Sequence, residues 1–253
     1  MLGIKLILLL IGMQLSPTAE PRPEFNFENF IKTDHNIYFQ KFEVTNIQYK
    51  IFLNEISEEE RSKHKPDSSL FPSGFELYFR HPSFNKFPVV AISQESAKAY
   101  CNWLNSKISL NSNGKKVRFR LPKKEEWKRA ARAGDTTKVF SAELFNDNCN
   151  TVLSAKYRSF SDRQELLISA DSSITWSSYS EFTSETMSYK PNPKGIFDMG
   201  GNVSEWLDED GVSFGGNWSS VAYYLRIDAP EELKREKLAN SKIGFRIIME
   251  ELE

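Results

Sequence analysis

Gly200-Gly201-Asn202-Val203-Ser204-Glu205-Trp206 is the segment of this 253-residue chain with the clearest structural meaning. Its first three residues tolerate positive φ angles, so it predicts a sharp reversal of the chain between residues 196–199 and 203–206. Trp206 offers a large apolar face and one N–H donor, which favours a core anchor over a ligand platform. The segment therefore predicts a tight turn that is fixed in the core.

Residues 191–253, which include this segment, are rich in Gly, Asn, Trp and Phe and show a helical pattern only at 231–238. They predict tight turns and short strands, with a final strand over 243–248. On that strand Arg246 stands between two apolar residues, and we expect it to point away from them and to pair with a carboxylate. The alternative role of its guanidinium group is recognition of an anion.

Three short amphipathic units precede residue 135. A strand over 37–44 leads to a helix that begins after the capping-box segment 45–48, and Ser93 can cap a second helix. A strand over 117–121 leads to a third helix that begins near Pro122 and stops at Gly134. The residues expected on the buried faces of the three helices are Ile47, Ile51 and Phe52, then Ala97, Tyr100, Cys101 and Leu104, then Trp127, Ala130 and Ala131.

Two segments lack any such periodicity. Residues 55–86 are charged and contain Pro and Phe, which predicts a long surface excursion. Residues 157–190 are rich in Ser, Thr, Glu and Tyr, and they predict an irregular or partly ordered insertion.

The N-terminal residues 1–19 differ in kind from the rest. Lys5 is followed by an unbroken apolar run over 6–11 that fades into small residues, which is typical of a secretory signal peptide. The alternative is a buried N-terminal helix. We expect a polar lead-in over 20–36 and one domain over 37–253. Since no later run is long enough to span a bilayer, the sequence favours an exported protein, periplasmic or secreted, without a stable membrane span.

The composition excludes several classes of function. Lys and Arg number 33 against 34 Asp and Glu, and this balance gives no electrostatic footprint for nucleic acid. Two cysteines rule out a disulfide scaffold and a four-cysteine metal site, and the three histidines are scattered. We expect His35, His64 and His81 to be surface or capping residues. Any metal would need mainly oxygen ligands.

Eight motifs occur in an order that resembles the sulfatase-modifying-factor family. They are Phe42-Glu43-Val44-Thr45-Asn46, Pro88-Val89-Val90, residues 97–104, Arg120-Leu121-Pro122 with Glu126-Trp127, residues 191–199, Gly201-Asn202-Val203-Ser204-Glu205-Trp206, Gly215-Gly216-Asn217-Trp218 and Gly244-Phe245-Arg246. The resemblance implies a single α+β domain of the C-type-lectin-like, formylglycine-generating-enzyme-like kind, low in regular secondary structure, with short helices and twisted antiparallel strands. Since this family contains oxidising enzymes, iron-dependent domains and ligand-binding proteins, its fold alone selects no function.

The resemblance also indicates which chemistry is missing. In formylglycine-generating members, two cysteines that follow the Gly-Gly-Ser-Trp motif bind copper and oxidise a substrate cysteine. Alignment on Trp218 places Leu225 and Pro230 at those positions, and neither side chain can form the thiolate that binds Cu(I). Phe214 also replaces the arginine that usually precedes the double glycine. We therefore expect no copper and no formylglycine-generating activity.

The resemblance further implies a structural calcium ion at the turn over 200–205. Relatives bind calcium there through the positions of Gly200, Gly201, Val203 and Glu205, and backbone carbonyls with a carboxylate suit this ion. The alternative is that Glu205 accepts hydrogen bonds from turn amides without a metal. A second family site falls at the positions of Asn148 and Cys149.

The two cysteines are expected to be free. Cys101 lies on the buried face of its helix, and the usual family partner, just after Gly-Phe-Arg, is Ile247 here. Cys149 lies in a polar run and is expected on a loop. A disulfide between Cys101 and Cys149 is the competing hypothesis.

These observations favour a binding module that contacts a protein or a glycan of the cell envelope. The exposed face that lectin-like relatives present after the Gly-Gly-x-Trp motif here holds Trp218, Ser219, Ser220, Tyr223, Tyr224, Arg226 and Asp228. The alternative is that Tyr223 and Tyr224 alternate between core and surface and only pack. The competing function is a non-heme metal-dependent oxidase or oxygenase, which would need His and carboxylate ligands around an open metal.

Overall fold

Two small β-sheets organise the chain in the computed structural model, which describes residues 25–70, 76–141, 149–151, 183–220, 222–229 and 238–252. The larger sheet is antiparallel throughout, with the order β1-β2-β7-β3. The smaller sheet has the order β5-β4-β6, with β4 antiparallel to β5 and parallel to β6. The strands are β1 (Phe30–Lys32), β2 (Ile37–Gln40), β3 (Val117–Arg120), β4 (Ser204–Trp206), β5 (Ser213–Phe214), β6 (Ile243–Phe245) and β7 (Ile248–Glu251).

Short helices join these strands. They are α1 (Asn46–Glu55), α2 (Glu58–His64), α3 (Glu76–Arg80), α4 (Gln94–Lys107) and α5 (Lys124–Arg132). Single turns of 3₁₀-helix occur at Phe27–Asn29, Ser68–Leu70, Pro82–Phe84 and Ala222–Leu225. Short helices combined with small sheets confirm the predicted α+β class. One feature differs from the expectation, because the β4–β6 pair is parallel.

The helix boundaries follow from local capping. Thr45 and Gln48 form the predicted capping box at α1, and the Ser93 hydroxyl accepts a hydrogen bond from the Ser96 N–H at the start of α4. Helix α5 ends at Ala133, which adopts a left-handed conformation just before Gly134. The predicted inner faces of α4 and α5 are buried.

The inner face of α1 was only partly predicted. Asn46, Tyr49 and Phe52 are buried, whereas Ile47 and Ile51 are only half-buried. The prediction relied on aliphatic residues, but the Tyr49 ring packs against Phe52 and its hydroxyl donates to the His64 carbonyl at 2.7 Å. The periodicity of the α1 sequence cannot indicate this hydrogen bond, because its acceptor lies outside the helix.

The predicted final strand over 243–248 is wrong in one respect, because it is two strands. β6 belongs to the small sheet and β7 to the large one, and Arg246 and Ile247 carry the chain between them. The crossing places Arg246 between the sheets, where it is fully buried.

Two stretches predicted to be peripheral contribute to the core. The excursion over 55–86 contains α2 and α3, and Tyr78 of α3 is buried, with its hydroxyl donating to the Pro88 carbonyl at 2.5 Å. The polar lead-in over 20–36 contains β1. Phe25 and Phe30 pack there against Phe119, with ring centroids 5.2 and 5.9 Å apart.

Both cysteines are free, as predicted. Cys101 is buried as expected, and Cys149, which was expected on a loop, is buried as well. Within the described ranges no helix combines the length and the apolar character that crossing a bilayer requires. The predicted signal peptide over 1–19, most of the insertion over 157–190, and the helical pattern over 231–237 lie outside the described residues.

Candidate functional site

Residues from several of the eight family motifs meet at Arg246, between the two sheets. Its Nε and Nη2 atoms donate to the Glu205 carboxylate at 3.0 and 2.7 Å, and the Trp127 Nε1–H donates to the same carboxylate at 2.8 Å. Nη1 also donates to the carbonyl of Gln40 at 3.0 Å, and Nη2 donates to the carbonyl of Phe197 at 2.8 Å. The predicted pairing of Arg246 with a carboxylate is therefore confirmed, and the pair is buried on both sides.

Two further carboxylates lie buried near this pair. Glu43 accepts a hydrogen bond from the Asn202 side-chain amide at 3.0 Å through Oε1, and its Oε2 has no hydrogen-bond partner among the described residues. Burial, reinforced by the charge of Asp198, raises the pKa of Glu43 well above its usual range. Burial also raises the pKa of Asp198 to about 6, although the Met187 N–H donates to this carboxylate at 3.0 Å.

Three carboxylates thus surround one guanidinium group. A single cation cannot compensate several like charges in one low-dielectric site, which agrees with the raised pKa of Glu43. Sequence reasoning missed Glu43 and Asp198 as members of this centre. The available signal was Glu43 itself, a lone acid in the run Phe42-Glu43-Val44.

The same geometry bears on the calcium hypothesis. Glu205 is the one carboxylate of the 200–205 turn, and the hydrogen bonds of Arg246 and Trp127 engage both of its oxygens. A cation bound to this carboxylate would compete with the buried guanidinium group. Glu205 is hydrogen-bonded, as the alternative hypothesis expects, but its donors are two side chains and not the amides of the turn. Calcium at Gly200, Gly201, Val203 and Glu205 stays a prediction.

The second predicted calcium position gains no support from the geometry either. Asn148 lies outside the described residues, and the Cys149 side chain is buried beside Leu225. Across the described ranges, no group of three or more His, Cys, Asp and Glu side chains is placed to hold a metal ion.

The segment over 217–220 is a tightly bonded turn. The Asn217 side-chain oxygen accepts hydrogen bonds from the N–H and the hydroxyl of Ser219, at 3.0 and 2.8 Å, while the Ser220 hydroxyl accepts one from the Asn217 N–H at 3.0 Å. Ser220 is buried. Its predicted role as a contact residue is therefore wrong, because its hydroxyl supports the turn.

The residues that follow present the more exposed side chains. Tyr223 is 50% exposed, Tyr224 is half-buried, and their rings meet edge to face at 5.3 Å. Arg226 and Asp228 form a bidentate ion pair with distances of 3.0 and 2.9 Å. Trp218 packs partly against Val90 and Val203 beneath the Lys242 ammonium. Tyr223, Arg226 and Asp228 thus form the accessible part of the predicted face.

Leu225 lies at the centre of this segment with its side chain fully buried. It packs with Cys149 and Phe140, and its carbonyl accepts hydrogen bonds from the N–H and hydroxyl of Ser141 at 2.8 and 2.7 Å. Pro230, the other position aligned with a copper-binding cysteine, lies outside the described residues. Phe214 packs on Trp127 with ring centroids 5.7 Å apart.

The histidines lie apart from these features. His81 caps a 3₁₀ turn as expected, through a hydrogen bond from the Ser83 N–H at 3.2 Å, and His35 is exposed. His64 differs from the expectation, because it is buried, with Nδ1 3.1 Å from the Ser96 hydroxyl.

Comparison with solved structures supports the fold. The crystal structure of CarF superposes with a TM-score of 0.55 at 20% identity, over 86% of this chain and 87% of that chain. PvdO from Pseudomonas aeruginosa gives a TM-score of 0.54 at 19% identity, over 85% of this chain and 80% of the other. At these identities the likeness concerns the fold alone.

Comparison with known sequences supports the family. The serine/threonine-protein kinase pkn1 of Chlamydia caviae is 26% identical over 181 residues, which make up 69% of this chain but 23% of the kinase. The family profile described as the sulfatase-modifying factor enzyme 1-like domain matches residues 15–251. Together with the solved structures, this match confirms the predicted formylglycine-generating-enzyme-like domain. The chain belongs to the sulfatase-modifying-factor family.

Proposed function

We propose that this chain is an exported binding module that contacts a protein or a glycan of the cell envelope and has no formylglycine-generating activity. The observation that carries the proposal is that Tyr223 is exposed beside the Arg226–Asp228 pair in the segment over 222–229. Leu225, which the family resemblance aligns with a copper-binding cysteine, is fully buried in the same segment. On that alignment an apolar side chain stands where the enzymes have a thiol, while the side chains of Tyr223 and Asp228 face solvent.

The surface has the chemistry of a recognition site. A tyrosine supplies rigid amphipathic area at a small loss of conformational entropy. Arg226 and Asp228 can exchange their mutual ion pair for hydrogen bonds to a partner. Because this pair is exposed, its separation costs little free energy. The backbone beneath is fixed, since Ser141 and Ile227 donate their N–H groups to Leu225 and Val139 respectively.

The absence of oxidase activity has a direct test. We expect the full chain, incubated with copper, oxygen and a peptide that contains Cys-x-Pro-x-Arg, to leave the mass of the peptide unchanged. A loss of mass at the peptide cysteine would contradict the proposal. Reaction of the same peptide with an active formylglycine-generating enzyme serves as the positive control.

The binding role is tested by capture from a cell-envelope extract on the immobilised chain. Truncation of a recognition tyrosine should lower the recovery of the captured component by about tenfold. The matched control is Leu77→Ala, since Leu77 and Tyr223 are both 50% exposed. Protease and periodate treatment of the extract distinguish a protein from a glycan. Equal recovery by Tyr223→Ala and Leu77→Ala would refute the assignment of this surface.

The competing metal-dependent enzyme makes a different prediction. It requires tight stoichiometric binding of iron or copper, which calorimetric titration of the purified chain measures directly. Such binding, together with oxygen consumption, would favour the enzyme over the binding module.

A further inference from the structure

A cleft of about 120 Å³ lies between residues 138–141, which follow α5, and the segment over 190–200. Water occupies about 30 Å³ per molecule in the liquid, so the cleft has room for about four water molecules or one small ligand. None of the described residues that line it belongs to the surface over 217–228. The cleft is therefore separate from the proposed recognition surface.

Asp198 contributes a carboxylate with one unused oxygen to this cleft. The residue lines the cleft and is 7% exposed, and its Oδ2 accepts a hydrogen bond from the Met187 N–H at 3.0 Å. Its Oδ1 accepts none from the described residues, yet they do not enclose it, so this oxygen remains accessible. No cation in the described ranges forms an ion pair with Asp198. A largely buried carboxylate without such a partner is unfavourable, and a bound ammonium group would compensate its charge.

Two lysines that line the same cleft carry the opposite charge. The Lys138 ammonium donates to the Ala131 carbonyl, in the last turn of α5, at 3.2 Å. Lys190 is exposed, and its side chain makes no ion pair or hydrogen bond with the described residues. The Lys190 ammonium is therefore available to an anionic group of a ligand.

This combination of charges restricts the ligand. A simple anion would meet the Asp198 carboxylate and a simple cation would meet two ammonium groups, so like charges oppose both. A molecule that carries both charges has a partner for each. The small volume and the apolar part of the wall favour a short aliphatic group beside these charges, and that part of the wall comes from Pro191, Pro193, Ile196 and Met199.

We propose that this cleft binds a small α-amino acid, of the size of alanine or serine, as its zwitterion. The α-ammonium group donates to the Asp198 Oδ1, and the α-carboxylate accepts from Lys190 and Lys138. An α-amino acid has both charged groups on one carbon atom, so a single compact molecule presents both within the cleft. The site differs from the recognition surface in location and in ligand, so the two proposals stand or fall separately.

The test compares L-alanine with propionate and ethylamine, which are alanine without its ammonium group and without its carboxylate. Ligand-observed NMR at neutral pH measures the dissociation constants with the purified full chain. Each lost charged hydrogen bond should weaken binding about tenfold or more, so alanine should bind most tightly. Phenylalanine overfills the cleft and should bind at least about tenfold more weakly than alanine. Equal affinity of any of these three probes and alanine, or no binding of alanine at about 10 mM, would refute the site.

Two variants separate the two charges. Asp198→Asn keeps an acceptor for the Met187 N–H but removes the charge, so alanine should bind no more tightly than propionate. Lys190→Gln should weaken alanine about tenfold, whereas Lys116→Gln, at an exposed lysine outside the cleft, should leave its affinity unchanged. Tyr223→Ala should bind alanine as the wild type does. A retained preference for alanine in Asp198→Asn, or an unchanged affinity in Lys190→Gln, would overturn the proposal.

Discussion

The Arg246 side chain makes its hydrogen bonds with groups that lie far away in the sequence. Glu205 is 41 residues away, Phe197 is 49 and Gln40 is 206. A guanidinium group that is fully buried is tolerable because it is hydrogen-bonded through all three of its nitrogens and paired with a charge. The residue thus joins the two sheets through its side chain as well as through its backbone.

This arrangement predicts a large effect of Glu205→Gln. Removal of the Glu205 charge should lower the free energy of unfolding by about 3–5 kcal/mol, because Glu205 is the one carboxylate to which the Arg246 side chain is seen to donate hydrogen bonds. Urea unfolding, followed by fluorescence, measures the loss. The exposed pair offers the control, since Arg226→Ala should leave the stability nearly unchanged.

The same variant separates the ion pair from calcium. If Glu205 acts through Arg246 alone, Glu205→Gln is equally destabilised in EDTA and in millimolar calcium. If the turn binds calcium through Glu205, calcium raises the melting temperature of the wild type and the variant loses this rise.

At the level of elements, the turn before β4 depends on the absence of a side chain. Gly201 has a φ of +83°, and a Cβ atom there would lie 2.5 Å from the Asn150 carbonyl oxygen and 2.8 Å from the Thr151 Cγ2. Two peptide segments therefore approach each other as closely as glycine allows. The Asn202 N–H, which donates to the Asn150 carbonyl at 2.8 Å, closes this contact.

Gly201→Ala should consequently be far more disruptive than the same change at an open turn. Gly114 has a comparable φ of +74°, and a Cβ atom there would meet nothing within 4 Å. Gly114→Ala isolates the backbone strain, about 1 kcal/mol, and Gly201→Ala adds a steric term of about 1–3 kcal/mol. Thermal unfolding of both variants gives the difference, and equal destabilisation would contradict the close approach.

Elements that are encoded locally were predictable, and those fixed by distant partners were not. The capping residues of α1 and α4 and the buried stripe of α4 follow from patterns within a few residues. Glu43 could not be placed, because its partner Asn202 is 159 residues away. The exposed part of the candidate surface could be named from the sequence, but the buried role of Ser220 depends on a turn that the sequence does not display.

For the whole molecule, the buried carboxylates predict an unusual dependence of stability on pH. The folded-state pKa of Asp198 is about 6, above its ordinary value of 3.8, and that of Glu43 is raised as well. The folded protein therefore binds more protons than the unfolded chain between these values, so its stability rises as the pH falls from 7 to about 5.

Asp198→Asn tests this prediction. The variant should be more stable than the wild type at pH 7, by about 1–3 kcal/mol, because it removes a disfavoured charge. Asparagine also tolerates the positive φ of 54° at this position and can still accept from the Met187 N–H. Melting curves in EDTA from pH 5 to 8 should be flatter for the variant. A melting temperature that rises with pH in the wild type would contradict the raised pKa values.

Strand β7 lies in the interior of the large sheet, between β2 and β3, although it is the last strand along the chain. The two strands that flank it do not pair with each other, so the sheet can form only after residue 251 has been synthesised. Arg246, which joins the sheets, also arrives late. Contacts of such long sequence separation slow folding. A ribosome-bound chain that stops before residue 243 therefore lacks both an interior strand of the large sheet and the cation that joins the two sheets, so neither can be completed until the end of synthesis.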